Sequence, residues 1–372
     1  MKKLLLVFSL LLVACANDSY SDLIKKGDDS LVLRWSKAYD DDDIHKSLIG
    51  LKWALSYIGA KLPSDLSGVY SNGDRIYVDS KAIGLSEEAQ IVLNRLHQKI
   101  KNSQEYQQQQ TIDLGRYVTL LLGASEHYYA LTGVPEQLDV LMSRYTLQPE
   151  KGYVDNSGVS LEHRIIRFSE QNGLNQLFLS TEINPANGAV TEYETIELLD
   201  NGQLRFGIFD ANGIRKNNAD PAHSNAGKPA KCMWCHESSI QPLFTVQSNH
   251  NGFLPYTDFR DRLLDYRTSH NTLKNNLPMG VDFSQTQQHT FTELLYISFM
   301  EPSAERLSRE WNLPLTEVQN RLAGLSTHTY DEFPFLGTLY HRKDLESLAP
   351  FQGLSVSDHV REQSQTEVNH LN

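Results

Sequence analysis

Cys232-Met233-Trp234-Cys235-His236 constrains this chain more than any other stretch. There are three cysteines in 372 residues, and two of them stand here, two residues apart and followed at once by a histidine. That spacing puts two thiols on one turn of backbone with an imidazole beside them. Three plain chemistries use such a pair: a short disulfide, a dithiol redox couple, and half of a zinc site. A structural zinc site takes four protein ligands, usually from a second Cys or His pair, and no cysteine is left for one. A dithiol oxidoreductase sets its pair beside a βαβ pattern, which is not found in this sequence.

A fourth chemistry fits the whole pentapeptide. The motif resembles the haem attachment site of single-haem c-type cytochromes. The resemblance implies one covalent haem c, with Cys232 and Cys235 as thioether anchors and His236 as the proximal iron ligand. Small c-type cytochromes draw their sixth ligand, commonly methionine, from a downstream segment. By that likeness Met279, in Leu277-Pro278-Met279-Gly280, is the expected distal ligand, and Met300, His250, His270 and His289 are the other candidates. The identity of that ligand separates an electron carrier with a closed iron from a gas-binding or oxidative site with an open one.

The N-terminus supplies a matching address. Lys2 and Lys3 form a positive start, Leu4 to Leu12 an apolar run too short to span a bilayer, and Leu12-Val13-Ala14-Cys15 resembles the lipobox of bacterial lipoproteins. The resemblance implies removal of residues 1–14, acylation of Cys15 and a membrane anchor of several acyl chains. Ala16 in place of aspartate points to the outer membrane, by analogy with enteric bacteria, and the expected location is its periplasmic face. Covalent haem is attached outside the bacterial cytoplasm, so the two signals agree.

Composition is that of a globular body, with 40% hydrophobic and 22% charged residues. The net charge of −12 disfavours binding to phosphate backbones and nucleic acid, and predicts that an envelope redox partner meets this chain through a positive face.

The expected fold class is α+β. Residues 15–42 read as a polar tether. Residues 43–150 read as helical: Asp40 to Asp43 look like caps rather than a calcium loop, Ser86 caps a helix whose first turn holds Glu87 and Glu88, and Asp113 caps one that runs towards Gly133. Residues 151–215 read as a small antiparallel sheet, with strands at 163–169, 177–183, 193–199 and 204–209 between Asn-Gly and Asp-Asn-Gly turns. Residues 216–372 read as the mainly helical haem-binding region. Pro302 is expected to open a helix through Trp311. His328, Asp331 and Glu332 carry metal-compatible groups without a recognised ligand spacing.

The approach to the motif, Leu204 to Asp210 and then Gly213, is similar over about thirty residues to cytochromes of the c-prime-beta type and their lysine-cross-linked relatives. In those proteins the motif closes the chain, whereas here the sequence runs on to Asn372. No cross-linking lysine is assigned. The expected function is membrane-anchored electron transfer through one haem in the cell envelope. The alternatives are a haem enzyme or gas-binding protein with an open iron, and an envelope scaffold with a structural disulfide.

Overall fold

The computed structural model describes residues 30–63, 68–160 and 162–372. The expected signal segment, Cys15 and the first part of the tether lie outside the described residues. The fold is α+β, with one small mixed sheet and one larger antiparallel sheet among helices.

The N-terminal part is less purely helical than its sequence suggests. Four short strands, β1 (Leu31–Arg34), β2 (Val69–Asn72), β3 (Arg75–Val78) and β4 (Ile112–Asp113), form a sheet in the order β2-β3-β1-β4. Asn72 pairs with Arg75, so the β2–β3 hairpin turns on Gly73 and Asp74. Gly73 opens this two-residue turn with a φ of 63°, a hairpin that the helical reading of residues 43–150 missed.

The caps fall where the sequence places them. Asp43 accepts hydrogen bonds from the His45 and Lys46 amides at the start of α1 (Ile44–Tyr57). Ser86 accepts from Ala89 at the start of α2 (Glu87–Lys101), and Asp113 from Gly115 and Arg116 at the start of α4 (Leu114–Leu122). Gln107 to Gln109 belong to a separate helix, α3 (Gln104–Gln109), which Ser103 caps anew and Gln110 ends in a left-handed conformation. The helix expected to reach Gly133 is two: α4 ends at Gly123, and α5 (Ser125–Thr132) stops at Gly133 in a left-handed cap. A short α6 (Leu138–Met142) follows.

The larger sheet is a plain meander: β5 (Leu147–Val154), β6 (His163–Ser169), β7 (Leu177–Ile183), β8 (Val190–Leu198) and β9 (Leu204–Asp210), each antiparallel to the next. Four of these lie at or close to the predicted ranges. The fifth, β5, was hidden because Pro149 interrupts its pattern; it is an edge strand whose register shifts between Leu147 and Lys151, the kind of place where a strand tolerates proline.

Beyond the sheet come α7 (Pro229–His236), α8 (Tyr256–Asn275), α9 (Thr290–Met300), α10 (Ala304–Trp311) and α11 (Leu315–Arg321). Pro302 does not open α10: Ser303 does, its hydroxyl accepting from the Arg306 amide. Among the described residues no helix is long and apolar enough to cross a membrane.

Helix α9 is gripped from two sides, and it later proves to carry part of the site. A β-carbon on Gly50 of α1 would stand 2.6 Å from the Phe291 carbonyl carbon, and one on Gly115 of α4 would stand 2.7 Å from the Leu295 carbonyl oxygen. Only glycine lets these helices approach so closely. Gly50→Ala should therefore push α1 off α9 and cost about 1–3 kcal/mol, read as a lower urea midpoint; an unchanged midpoint would contradict this packing.

Two buried histidines give the fold an acid sensitivity. His97 of α2 is buried against the Tyr117 hydroxyl, 2.9 Å from its Nε2, and burial lowers its pKa to about 3. His270 of α8 lies 2.8 Å from the Gly202 carbonyl, and burial first and Lys274 second lower its pKa to about 4. Both rings stay neutral in the folded chain but take up a proton near 6.5 once unfolded. Between about pH 4 and 6.5 the unfolded state therefore binds more protons, and stability falls as pH falls, by up to about 1.4 kcal/mol per pH unit for each ring. Urea unfolding at pH 7 and pH 5 checks the slope, and an NMR titration of His97 with a midpoint near 6 would contradict it.

Candidate functional site

The motif sits on α7, and much of the surrounding chain serves to hold that helix. Pro229 opens it, at a position where a missing N–H costs nothing. The residue before it, Lys228, is buried, and its ammonium donates to the Gly123 carbonyl at 2.7 Å, the Ser357 hydroxyl at 2.7 Å and the His359 carbonyl at 3.0 Å, with the Glu367 carboxylate at 2.8 Å. The Arg361 guanidinium lies 4.5 Å from the centre of the Trp234 ring, and the Arg361 carbonyl accepts the Lys228 amide at 2.8 Å. The last residues of the chain thus clamp the start and flank of the motif helix. On its inner side Met233 is buried, and the His236 ring stands 5.7 Å from that of Phe206 on β9.

Immediately after His236 the chain turns sharply. Glu237 and Ser238 both adopt left-handed conformations, with φ of 48° and 61°. Two successive non-glycine residues in that region are held only by firm surroundings. Here the Lys274 ammonium donates to the Ser238 carbonyl, the Ser238 hydroxyl donates to the Tyr57 hydroxyl at 3.3 Å, and Gln241 donates to the Cys235 carbonyl at 3.0 Å.

Cys232, Cys235 and His236 all line a cavity of about 600 Å³, within the range of cavities that hold organic cofactors. Its opposite wall is one face of the larger sheet: Val154, Ile166, Phe178 and Ile196 supply apolar surface, and Arg164, Ser180 and Glu194 supply polar groups. Ile240, Leu243, Phe244, Leu263 and Phe333 also line it, with Glu293 from α9 and His289 from the turn just before that helix.

The electrostatics separate the candidate chemistries. The two cysteines are free thiols, not joined to each other. Burial first, and the Glu194 carboxylate next, push the Cys232 thiol well above its usual range, and burial also raises Cys235. A dithiol redox pair needs the opposite, a lowered pKa that yields thiolate. Burial holds His236 down to about 4, with Arg164 adding to it, so its imidazole is neutral and able to bind a metal. Its Nδ1 is buried without a hydrogen-bond partner. Neutral thiols, a neutral imidazole short of a partner and a large, mostly apolar space beside them fit a haem of the c type.

The candidates for the far side of the iron divide clearly. Met279 is not brought to the cavity: its amide donates to the Leu277 carbonyl at 2.9 Å, and the next amide, Gly280, donates to Lys61 at 3.1 Å, which fastens this loop beyond the end of α1. Met300, at the end of α9, packs against the core. His250 is paired with Asp155 at 3.1 Å, and His270 with Gly202. His289 alone among these candidates lines the cavity, its Nδ1 3.1 Å from the Thr286 carbonyl and its Nε2 3.4 Å from Glu293. Burial opposes its protonation, but the neighbouring Glu293 outweighs burial and raises its pKa.

No protein-family model matches this chain, no curated protein is similar to it, and no solved structure matches its fold.

Several wall residues carried no signal in the sequence. Arg164 pairs with Glu182 at 2.5 Å and Glu194 at 3.4 Å across neighbouring strands, and burial with the adjacent Glu194 raises Glu182 to about 8. An outward-looking Arg, Glu or Ser at alternate strand positions reads as a solvated face. The pairing register turns that face into the cavity wall.

Proposed function

We propose that this chain is a single-haem c-type cytochrome, lipid-anchored in the cell envelope, that transfers electrons there. The observation that carries this reading is the cavity, mostly apolar and about 600 Å³, with both motif thiols and the motif imidazole on its wall. Cys232 and Cys235 would hold the porphyrin, and His236 the iron. A haem held in this way supplies a one-electron couple whose potential depends on its ligands and burial. The residues of the chain do the rest. Val154, Ile166, Phe178 and Ile196 would lie against the porphyrin as apolar surface, and the contacts on Lys228 and Trp234 hold the motif helix in place.

The anchor and the net charge complete the proposal. The lipobox-like Leu12 to Cys15 supports tethering by acyl chains, and Ala16 supports the outer membrane. The acidic chain favours an envelope partner with a positive docking face. Redox titration of chain matured in a host that makes c-type cytochromes tests the function: a reversible one-electron transition is expected, and a centre that does not cycle would remove the electron-transfer reading.

A second reading, an open iron that binds a small molecule, is favoured by one observation: among the described residues no methionine lines the cavity beside His236. Carbon monoxide separates the two. Ready uptake by the reduced protein at neutral pH would favour the open site over the electron carrier.

A further inference from the structure

A second cluster of metal-binding side chains lies at the other end of α9. Glu301 caps that helix, its amide donating to the Ile297 carbonyl at 2.8 Å. His328 and Leu339 form an isolated antiparallel bridge, with hydrogen bonds of 3.1 and 3.0 Å in the two directions. Residue 341 is then the diagonal neighbour of residue 328, a position from which side chains on one face of a bridge can meet. The Tyr340 amide donates to the Pro302 carbonyl at 3.1 Å, which sets the bridge beside the helix cap. Three backbone contacts therefore bring together residues that are far apart in sequence.

The side chains meet accordingly. The His328 and His341 rings are stacked, 4.1 Å between centres and 13° from parallel. The Nε2 of His328 is 2.7 Å from the Glu301 carboxylate, while its Nδ1 is buried and has no partner. One donor atom from each of the three residues lies within 4.8 Å of the others. Ligands about 2.1 Å from a tetrahedral ion stand roughly 3.4 Å apart, so the exposed His341 ring closes the set by turning out of the stack to aim its nitrogen at a shared ion.

We propose that Glu301, His328 and His341 bind a divalent ion of the zinc class, separate from the haem cavity. Two imidazoles and one carboxylate are borderline-soft ligands that suit zinc, cobalt or nickel better than magnesium or calcium. Three protein ligands leave room for water, and His341 is exposed, so the ion is exchangeable rather than sealed into the fold. The reading does not depend on haem.

Equilibrium dialysis of the full chain against Zn²⁺, followed by metal analysis, tests it. One equivalent of zinc is expected, displaceable by Co²⁺. His341→Ala, at an exposed position, should weaken binding at least about tenfold, as should Glu301→Gln, whereas His45→Ala at an unrelated exposed histidine should leave it unchanged. Zinc retained with full affinity by His341→Ala would overturn the proposal, as would no bound zinc at all, which would mean an imidazole–carboxylate hydrogen bond only.

Discussion

Replacing Glu310 with alanine is expected to lower the stability of the chain by about 3–5 kcal/mol. Glu310 is fully buried on α10 between two guanidiniums: Arg342 reaches its two oxygens at 2.7 and 2.8 Å, and Arg306 contacts it one turn away. Burial opposes ionisation of this carboxyl, yet Arg342 and Arg306 overcome it and hold the group at about 2, so it is charged throughout the neutral range. The network continues from Arg306 to Asp113 at 2.7 Å, and a second pair joins Arg116 to Glu105 at 3.0 Å. The Arg116, Arg306 and Arg342 guanidiniums surround the Phe299 ring at 4.9, 5.5 and 3.9 Å. Removing the one carboxylate strands the buried Arg342 guanidinium and leaves Arg306 with Asp113 alone. Because its folded pKa is depressed, the contribution of Glu310 is present above the ordinary carboxylate range and is lost as pH falls towards about 2. Urea unfolding near pH 7 checks the size of the effect; a loss below about 1 kcal/mol would mean that the network is not what fastens α10 to the N-terminal helices.

The second large effect concerns attachment. With both Cys232 and Cys235 replaced by alanine, the chain is expected to fold but to lose all covalent haem, read as the absence of haem staining after denaturing electrophoresis. Each single replacement leaves one thiol on the cavity wall and should retain part of the signal. The two positions are part-exposed at the cavity wall and make no disulfide, so alanine there removes no cross-link from the fold. Staining that survived the double replacement would move the attachment point elsewhere.

The parts of this molecule that were legible in its sequence are those fixed by local chemistry. Asp43, Ser86 and Asp113 cap helices because a short side-chain oxygen next to an apolar pattern has few other uses. Strands β6 to β9 of the larger sheet follow from apolar runs and alternation between Gly-containing turns. The motif helix was marked by its own five residues. What was hidden depends on contacts between distant segments. Lys228 reads as a surface lysine until the tail at Ser357 to Glu367 folds over it. His289 was one histidine among thirteen until the turn before α9 brought it to the cavity. His341 and Glu301 become neighbours of His328 only through a two-residue bridge and a helix cap. Met279 was attractive as a methionine in a segment downstream of the motif, but the anchoring of Gly280 on Lys61 decides where that segment lies.

The pyridine haemochrome spectrum of the full chain, purified from a host that matures c-type cytochromes, tests the central claim most directly. One equivalent of thioether-linked haem per chain is expected, lost together with Cys232 and Cys235. A chain recovered from that host folded but without covalent haem would contradict the account of the cavity beside His236.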